Sequence, residues 1–126
     1  MEAYDRLQIC RLVSMAIAAD GEVVDSELEL LDRLMDYYQV DRDERMRIMR
    51  REYDFDPTVL TREVKSEEGK AELLGALALA ISVDGKIAEP ERWLIDRVAA
   101  TLGVPDAEVE RLIGEALASV RRKGGG

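Results

Sequence analysis

The sequence has no histidine and only one cysteine, Cys10, among its 126 residues. Without histidine, the chain has no His-based catalytic triad, no histidine metal ligand and no side chain that ordinarily titrates near neutral pH. A single thiol also excludes an intramolecular disulfide and any zinc or iron–sulfur site that needs several cysteines. We expect Cys10 to be a buried structural thiol, because it falls on the apolar stripe of the first predicted helix.

Aromatic residues are scarce at 5%, and long hydrophobic runs are missing. The longest near-apolar run, residues 73–83, is too short to cross a bilayer, so we expect no direct membrane insertion. The first residues carry acids where a secretory signal peptide would carry bases. We therefore expect a cytoplasmic protein whose core is built mainly from Leu, Ile, Val, Ala and Met.

Charge of one sign is in excess, since 27 acidic residues face 18 basic ones and the formal net charge is −9. Such a chain repels nucleic acid and anionic membrane surfaces at long range, so we expect no nucleic-acid partner. Apolar residues nevertheless make up 47% of the chain, which suffices for one compact core.

Apolar residues recur with helical spacing throughout, and no segment alternates as a strand would. The pattern predicts an all-α fold of about seven helices in a single domain, residues 1–121, followed by a flexible basic and glycine-rich tail, residues 122–126. Residues 68–83 are apolar on nearly every side, which predicts a central buried helix. Trp93 is expected to pack at the edge of the core, the alternative being a position that faces a partner. Leu28 is expected to be buried by its helix.

Several residues have side chains that are typical of helix boundaries. Asp41, Asp56 and Ser66 are expected to cap the starts of three helices, and Pro57 suits the first helical position after Asp56. Gly103 is expected to end the sixth helix.

The chain matches itself without gaps at an offset of 64 residues. Residues 16–41 read AIAADGEVVDSELELLDRLMDYYQVD, and residues 80–105 read AISVDGKIAEPERWLIDRVAATLGVP. We interpret this match as two pseudo-symmetric helix–loop–helix repeats, one at about residues 4–51 and the other at about residues 67–120, placed around the central helix.

Each copy contains an Asp-Gly step followed by two further acids. The glycine suits a left-handed backbone position, the following Val23 or Ile87 is expected to reach the core, and Asp25 or Glu89 is expected to cap the next helix. The pattern overlaps the second half of an EF-hand loop, but the first two acidic positions of that loop are missing.

The repeated acids have two interpretations. They cap backbone N–H groups of the loops, or two half-sites together hold a hard cation such as Ca²⁺ or Mg²⁺. The candidate ligands are Asp20, Asp25, Glu27, Asp84, Glu89 and Glu91.

Residues 42–51, RDERMRIMRR, carry a local charge of +3 in this acidic chain. An acidic partner or a phosphate could dock there, with Met46 and Met49 adding adaptable apolar contacts. The other interpretation is a solvated helix face balanced by neighbouring acids. The candidate partner-binding residues are Arg42, Arg45, Arg47 and Arg50.

An Ala-Asp-Gly loop between apolar helices, with a glutamate six residues after the glycine, here appears twice with Val83 replacing the alanine in the second copy. This pattern resembles the TerB-like (tellurite resistance protein B) family over roughly residues 3–120. The resemblance implies a seven-helix cytoplasmic domain with an acidic, metal-associated face. It also implies a role in tellurite resistance or general stress response, through complexes with membrane-associated protein partners. The family's acidic positions correspond to Asp20, Glu27, Asp84 and Glu91.

We therefore expect a non-enzymatic module that acts through its acidic face and through protein–protein contacts. The alternative is a purely structural adaptor that docks a partner helix on the Arg- and Met-rich surface and binds no metal.

Overall fold

The protein's structure, a computed structural model, describes residues 1–124, and over that range it contains helices and no strand. The helices are α1 (Ala3–Ala18), α2 (Asp25–Tyr37), α3 (Arg42–Met49), α4 (Pro57–Arg62), α5 (Glu67–Ser82), α6 (Glu89–Leu102) and α7 (Asp106–Gly124). The all-α fold class with seven helices is thus confirmed for this part of the chain. None of these helices has both the length and the apolar character that a membrane span requires.

The predicted boundary residues begin and end helices through identifiable contacts. The side chains of Asp41 and Asp56 accept hydrogen bonds from Glu44 N at 2.9 Å and Thr58 N at 3.0 Å. Ser66 Oγ accepts one from Gly69 N at 2.9 Å. These bonds satisfy N–H groups that a helix start otherwise leaves without a partner.

Helix α5 lies at the centre of the molecule and packs against α1, α2, α6 and α7. Its inward side chains are almost completely removed from solvent, which explains why the sequence of this helix is apolar on nearly all sides. One side remains open, since Leu79 is 40% exposed. Cys10 on α1 is fully buried, as predicted, and burial raises the pKa of its thiol to about 12.

A buried carboxylate joins α1 to the start of α5. Asp5 is 1% exposed, and it accepts hydrogen bonds from Lys65 N at 3.0 Å, Ser66 N at 3.3 Å and Ser66 Oγ at 2.7 Å. Burial by itself would raise the pKa of Asp5, but these hydrogen bonds outweigh burial and the pKa is lowered. This contact spans about sixty residues of sequence, and no local pattern predicts it.

Three core predictions are wrong, because the side chains lie at the surface. Val23 is 48% exposed rather than inserted into the core, and Leu28 on α2 is 37% exposed. Trp93 is 59% exposed, and the guanidinium of Arg97 lies 5.9 Å from its ring centroid. Helical spacing places Leu28 and Trp93 near the apolar side of their helices, but the packing leaves both side chains uncovered, and Val23 lies in the loop before α2.

The last helix extends further than predicted. Helix α7 continues through residues 122–124, which were assigned to the tail, because Arg121, Arg122 and Lys123 are good helix formers. The remaining tail residues, 125–126, lie outside the described residues. The pseudo-symmetric relation of the two halves stays a prediction.

Candidate functional site

Two loops with the same local geometry form the candidate site. The first connects α1 to α2 and contains Asp20 and Gly21, and the second connects α5 to α6 and contains Asp84 and Gly85. The glycines have φ angles of 78° and 82°, which lie in the left-handed region that side chains with a Cβ disfavour. The prediction of a left-handed glycine in each loop is confirmed.

Both aspartates close a short turn in their own loop. Asp20 Oδ1 accepts a hydrogen bond from Glu22 N at 3.0 Å, and Asp84 Oδ1 accepts one from Lys86 N at the same distance. This is the turn that Asp and Asn side chains form with the backbone two residues further on. Both carboxylates remain exposed to solvent.

The glutamates lie one turn into the next helix and reach back to its start. Glu27 Oε1 accepts a hydrogen bond from Val24 N, and Glu91 Oε1 accepts one from Ala88 N, each at 3.0 Å. This is the glutamate half of a capping box, with no polar side chain at the N-cap to complete the motif. Both glutamates are only 3% exposed, so each loop has an exposed carboxylate and a buried one.

The two buried glutamates are electrostatically coupled to acids of both loops. Burial is the main cause that raises the pKa of Glu27, and the charges of Asp20 and Asp84 raise it further. Burial also raises the pKa of Glu91 to about 7, against the opposing hydrogen bond from Ala88 N, and the charges of Asp20, Glu27 and Asp84 add to the rise. The charges of both loop aspartates therefore act on each of the two buried glutamates.

Asp25 and Glu89 do not cap their helices as predicted. The N-cap residues are Val24 and Ala88, and the two acids occupy the first helical position with exposed side chains. The glutamate at the third helical position already binds the N-cap N–H, so an acid one residue after the cap is left to interact with the helix dipole.

The donor chemistry of the site fits a hard cation, because Ca²⁺ and Mg²⁺ prefer carboxylate oxygens. In residues 1–124, however, no three or more Asp, Glu or Cys side chains are arranged as a metal-binding group. One oxygen of each carboxylate at positions 20, 27, 84 and 91 binds a backbone N–H, and the other oxygen is the one left to bind a ligand. The metal assignment stays a prediction.

Two further residues lie near the loops. Glu22 adds negative charge that raises the pKa of Glu27, whereas the second loop carries Lys86 at the equivalent position. Ser82, at the end of α5, is fully buried, and its hydroxyl has no hydrogen-bond partner among the described residues. A lone serine in an otherwise apolar helix segment was the only available signal.

The predicted partner-binding arginines lie on α3 and at its end, and the structure divides them into two groups. Arg45 binds Asp36 at 2.6 Å and Val40 O at 2.8 Å, and Arg47 binds Glu44 at 2.8 Å. Arg42 and Arg50 are exposed and have no ion pair within the described part of the chain. Only the second pair is therefore available for a partner without breaking internal contacts.

Comparison with known proteins gives one match. No curated protein and no solved structure matches the chain significantly. The family model described as "Tellurite resistance protein TerB" matches residues 6–113, which cover both loops, the five helices α2 to α6 in full, and parts of α1 and α7. The match spans well over half of the 126 residues, and the chain belongs to the TerB family.

Proposed function

We propose that this TerB-family chain is a non-enzymatic module of a tellurite-resistance or general stress-response system, that it binds a divalent cation on its acidic face, and that it contacts protein partners. The observation that carries the proposal is the convergence of carboxylates from two separate loops. The charges of Asp20 and Asp84 raise the pKa values of the buried Glu27 and Glu91, so the ionised forms of these two glutamates oppose folding when no cation is bound.

Capping alone does not require these charges. Asparagine closes the same short turn as aspartate, and glutamine reaches back to the N-cap N–H as glutamate does. A chain that needed only caps would be more stable with neutral side chains at the two buried positions, 27 and 91. Negative charge retained at a cost in stability is typical of a functional site.

A bound cation would reduce this cost by neutralising the repulsion. Ca²⁺ and Mg²⁺ accept mixed ligand sets of carboxylate oxygens and water, so the four carboxylates need not supply every ligand. The non-enzymatic part of the proposal is supported by the missing histidine and by the single thiol, which is buried with a pKa of about 12.

Calorimetric titration of Ca²⁺, Mg²⁺ and Mn²⁺ into EDTA-treated protein tests the cation proposal. We expect heat of binding for at least one cation, together with a raised melting temperature. The double variant D20N/D84N keeps the short turns and removes two charges, so it should remain folded and lose the binding heat.

Asp54→Asn is the matched control, because Asp54 is also exposed and its Oδ1 accepts a hydrogen bond from Asp56 N at 2.9 Å. This variant should bind the cation as the parent chain does. The proposal is wrong if the parent chain shows neither heat nor stabilisation up to millimolar cation, or if D20N/D84N binds as tightly as the control.

We propose protein contacts on a second surface as the alternative function, in which the chain is a structural adaptor without metal. What supports this alternative is the exposure of Met46 and Met49, at 41% and 51%, on the helix that carries Arg42 and ends at Arg50, two arginines without an ion pair in the described part of the chain. A cytoplasmic location and a membrane-associated complex, both implied by the family, belong to the same proposal. Partner capture that persists in EDTA would favour the adaptor over the cation-dependent module.

A further inference from the structure

A groove of about 460 Å³ runs between α2 and α3. One wall carries Leu28, Asp32 and Met35, and the facing wall carries Arg42 and the two exposed methionines of α3. Both sets follow the spacing i, i+4, i+7, which places three side chains on one face of a helix. Met35 is 2% exposed and forms the base, whereas Leu28, Met46 and Met49 expose between a third and a half of their surface.

Helix α3 has little other support in the molecule. Ile48 is its only fully buried residue, and the helix packs mainly on α1, where Ile48 O accepts a hydrogen bond from Ser14 Oγ at 3.4 Å. The methionines are thus apolar side chains that the fold itself leaves uncovered. Methionine is flexible and polarizable, which suits a surface that repacks around a bound side chain.

The two walls of the groove differ in charge. On the α2 wall, Glu29 lies 3.7 Å from Arg33, and Asp32 lies 3.8 Å from Arg45, whose closer partner is Asp36 at 2.6 Å. On the α3 side, Arg42 and Arg50 have no ion pair within residues 1–124. Arg42 lines the groove, and Arg50 lies at the end of α3, four residues after Met46. An apolar groove with these two arginines on its α3 side is complementary to an apolar stripe that carries carboxylates on the side facing α3.

We propose that the α2–α3 groove binds an acidic amphipathic helix of a partner protein. Apolar residues of that helix, spaced i, i+4 and i+7, would cover Met46 and Met49, and its flanking acids would pair with Arg42 and Arg50. This inference deepens the partner-contact part of the proposed function and does not depend on cation binding.

The test is a titration of the full chain, in EDTA, with two synthetic helical peptides of about 14 residues, or four turns. Both peptides carry the same leucine stripe, and one is flanked by glutamate and the other by lysine. The readout is the NMR signal of the ¹³C-labelled methionine methyl groups. We expect the acidic peptide to shift the signals of Met35, Met46 and Met49 and to leave that of Met1 unchanged. The lysine peptide should bind about tenfold more weakly or worse.

The double variant R42E/R50E should weaken binding of the acidic peptide by about tenfold or more. R62E/R121E is the matched control, since it makes the same change in charge at two exposed arginines outside the groove and should bind like the parent chain. Removing the methionine side chains in M46A/M49A should also weaken binding, with the helical circular dichroism unchanged.

Several outcomes would overturn the proposal. They are no binding of the acidic peptide, equal binding of both peptides, or equal loss of binding in the two arginine double variants. Methyl shifts on adding anionic vesicles but not peptide would replace the helix with a membrane surface. Shifts that depend on protein concentration alone would replace it with a second copy of the chain. D20N/D84N should bind the peptide normally, so the failure of the cation proposal and the failure of this one remain distinguishable.

Discussion

Among single residues, Glu91 is subject to two opposing effects: burial disfavours its charged form, and a backbone hydrogen bond favours it. Its side chain is 3% exposed, and its Oε1 accepts the hydrogen bond that begins α6. A neutral carboxyl group accepts this bond as well, so only the ionised form bears the cost of burial and of the neighbouring acids. This balance explains why burial prevails over the hydrogen bond and the pKa rises to about 7.

The raised pKa of Glu91 predicts the direction in which stability depends on pH. Between the unfolded pKa near 4.5 and the folded pKa of about 7, the folded chain binds more protons than the unfolded one. This group therefore makes the protein more stable as the pH falls from about 7 toward 4.5, and less stable as the pH rises.

The change that tests this prediction is Glu91→Gln, which keeps the acceptor and removes the charge. We expect the metal-free variant to be more stable than the parent chain at pH 8 by roughly 1–3 kcal/mol, since each pKa unit corresponds to about 1.4 kcal/mol. The difference should shrink toward zero near pH 5. Urea unfolding at both pH values measures it, and a difference that is the same at both pH values would contradict the assigned pKa.

At the scale of helices and loops, two glycines with different backbone angles predict opposite effects of the same substitution. An added Cβ meets no atom within 4 Å at Gly85 or at Gly114, so steric clash plays no part at either position. Gly85 has a φ angle of 82°, whereas Gly114 lies inside α7. Gly85→Ala should cost about 1–2 kcal/mol through backbone strain. Gly114→Ala should gain about 0.5–1 kcal/mol through helix propensity.

Urea denaturation of the two variants measures both free energies of unfolding. Gly21, with a φ angle of 78°, offers a repeat of the first substitution in the other loop, and Gly21→Ala should resemble Gly85→Ala. A stabilising effect at either loop glycine would show that the loop readily adopts another conformation.

Most element boundaries could be predicted from sequence because capping is local. Asp41, Asp56, Ser66 and Gly103 each act within a few residues of their own position, and each has the predicted role. The prediction that Asp25 is an N-cap was wrong, although it too concerns a local contact, because two nearby acids, Asp25 and Glu27, can each bind an N–H group at the start of α2. Glu27 binds the N-cap N–H instead, and sequence spacing alone does not decide between the two.

Contacts between elements that are far apart in the sequence could not be predicted from the sequence patterns. The role of Asp5 depends on backbone N–H groups about sixty residues away, and periodicity carries no information on such a pairing. The exposure of Trp93 depends on how α4 and α6 pack, and helical spacing does not describe that packing. In the candidate site, the residue types could be predicted from the repeat, but the burial of Glu27 and Glu91 could not.

On the scale of the whole molecule, the separation of the acidic loop residues from the arginines of α3 suggests two separate interaction surfaces. The charges of the α1–α2 and α5–α6 loops act on both buried glutamates, and Arg42 lines the α2–α3 groove. Helix α2 takes part in both, since Glu27 faces the acidic loops and Leu28 faces the groove. A chain of net charge −9 that keeps an uncompensated basic edge is suited to recognise an acidic partner at that edge alone.

The charge of Glu27 raises the pKa of Glu91, which predicts an energetic coupling between the halves of the chain. A double-mutant cycle on Glu27→Gln and Glu91→Gln measures it. At pH 8 without metal, each variant should stabilise the protein, because each removes a buried charge and the repulsion between them. The double variant should gain less than the sum, by about 0.5–1 kcal/mol, since the repulsion is removed only once.

Glu67→Gln with Glu91→Gln is the control cycle, because Glu67 is exposed and begins α5, about 22 Å of helix from the second loop. That control should be additive. Additivity within about 0.3 kcal/mol in the first cycle as well would show that the glutamates of the two loops act independently, and the acidic face would then consist of two separate capped loops.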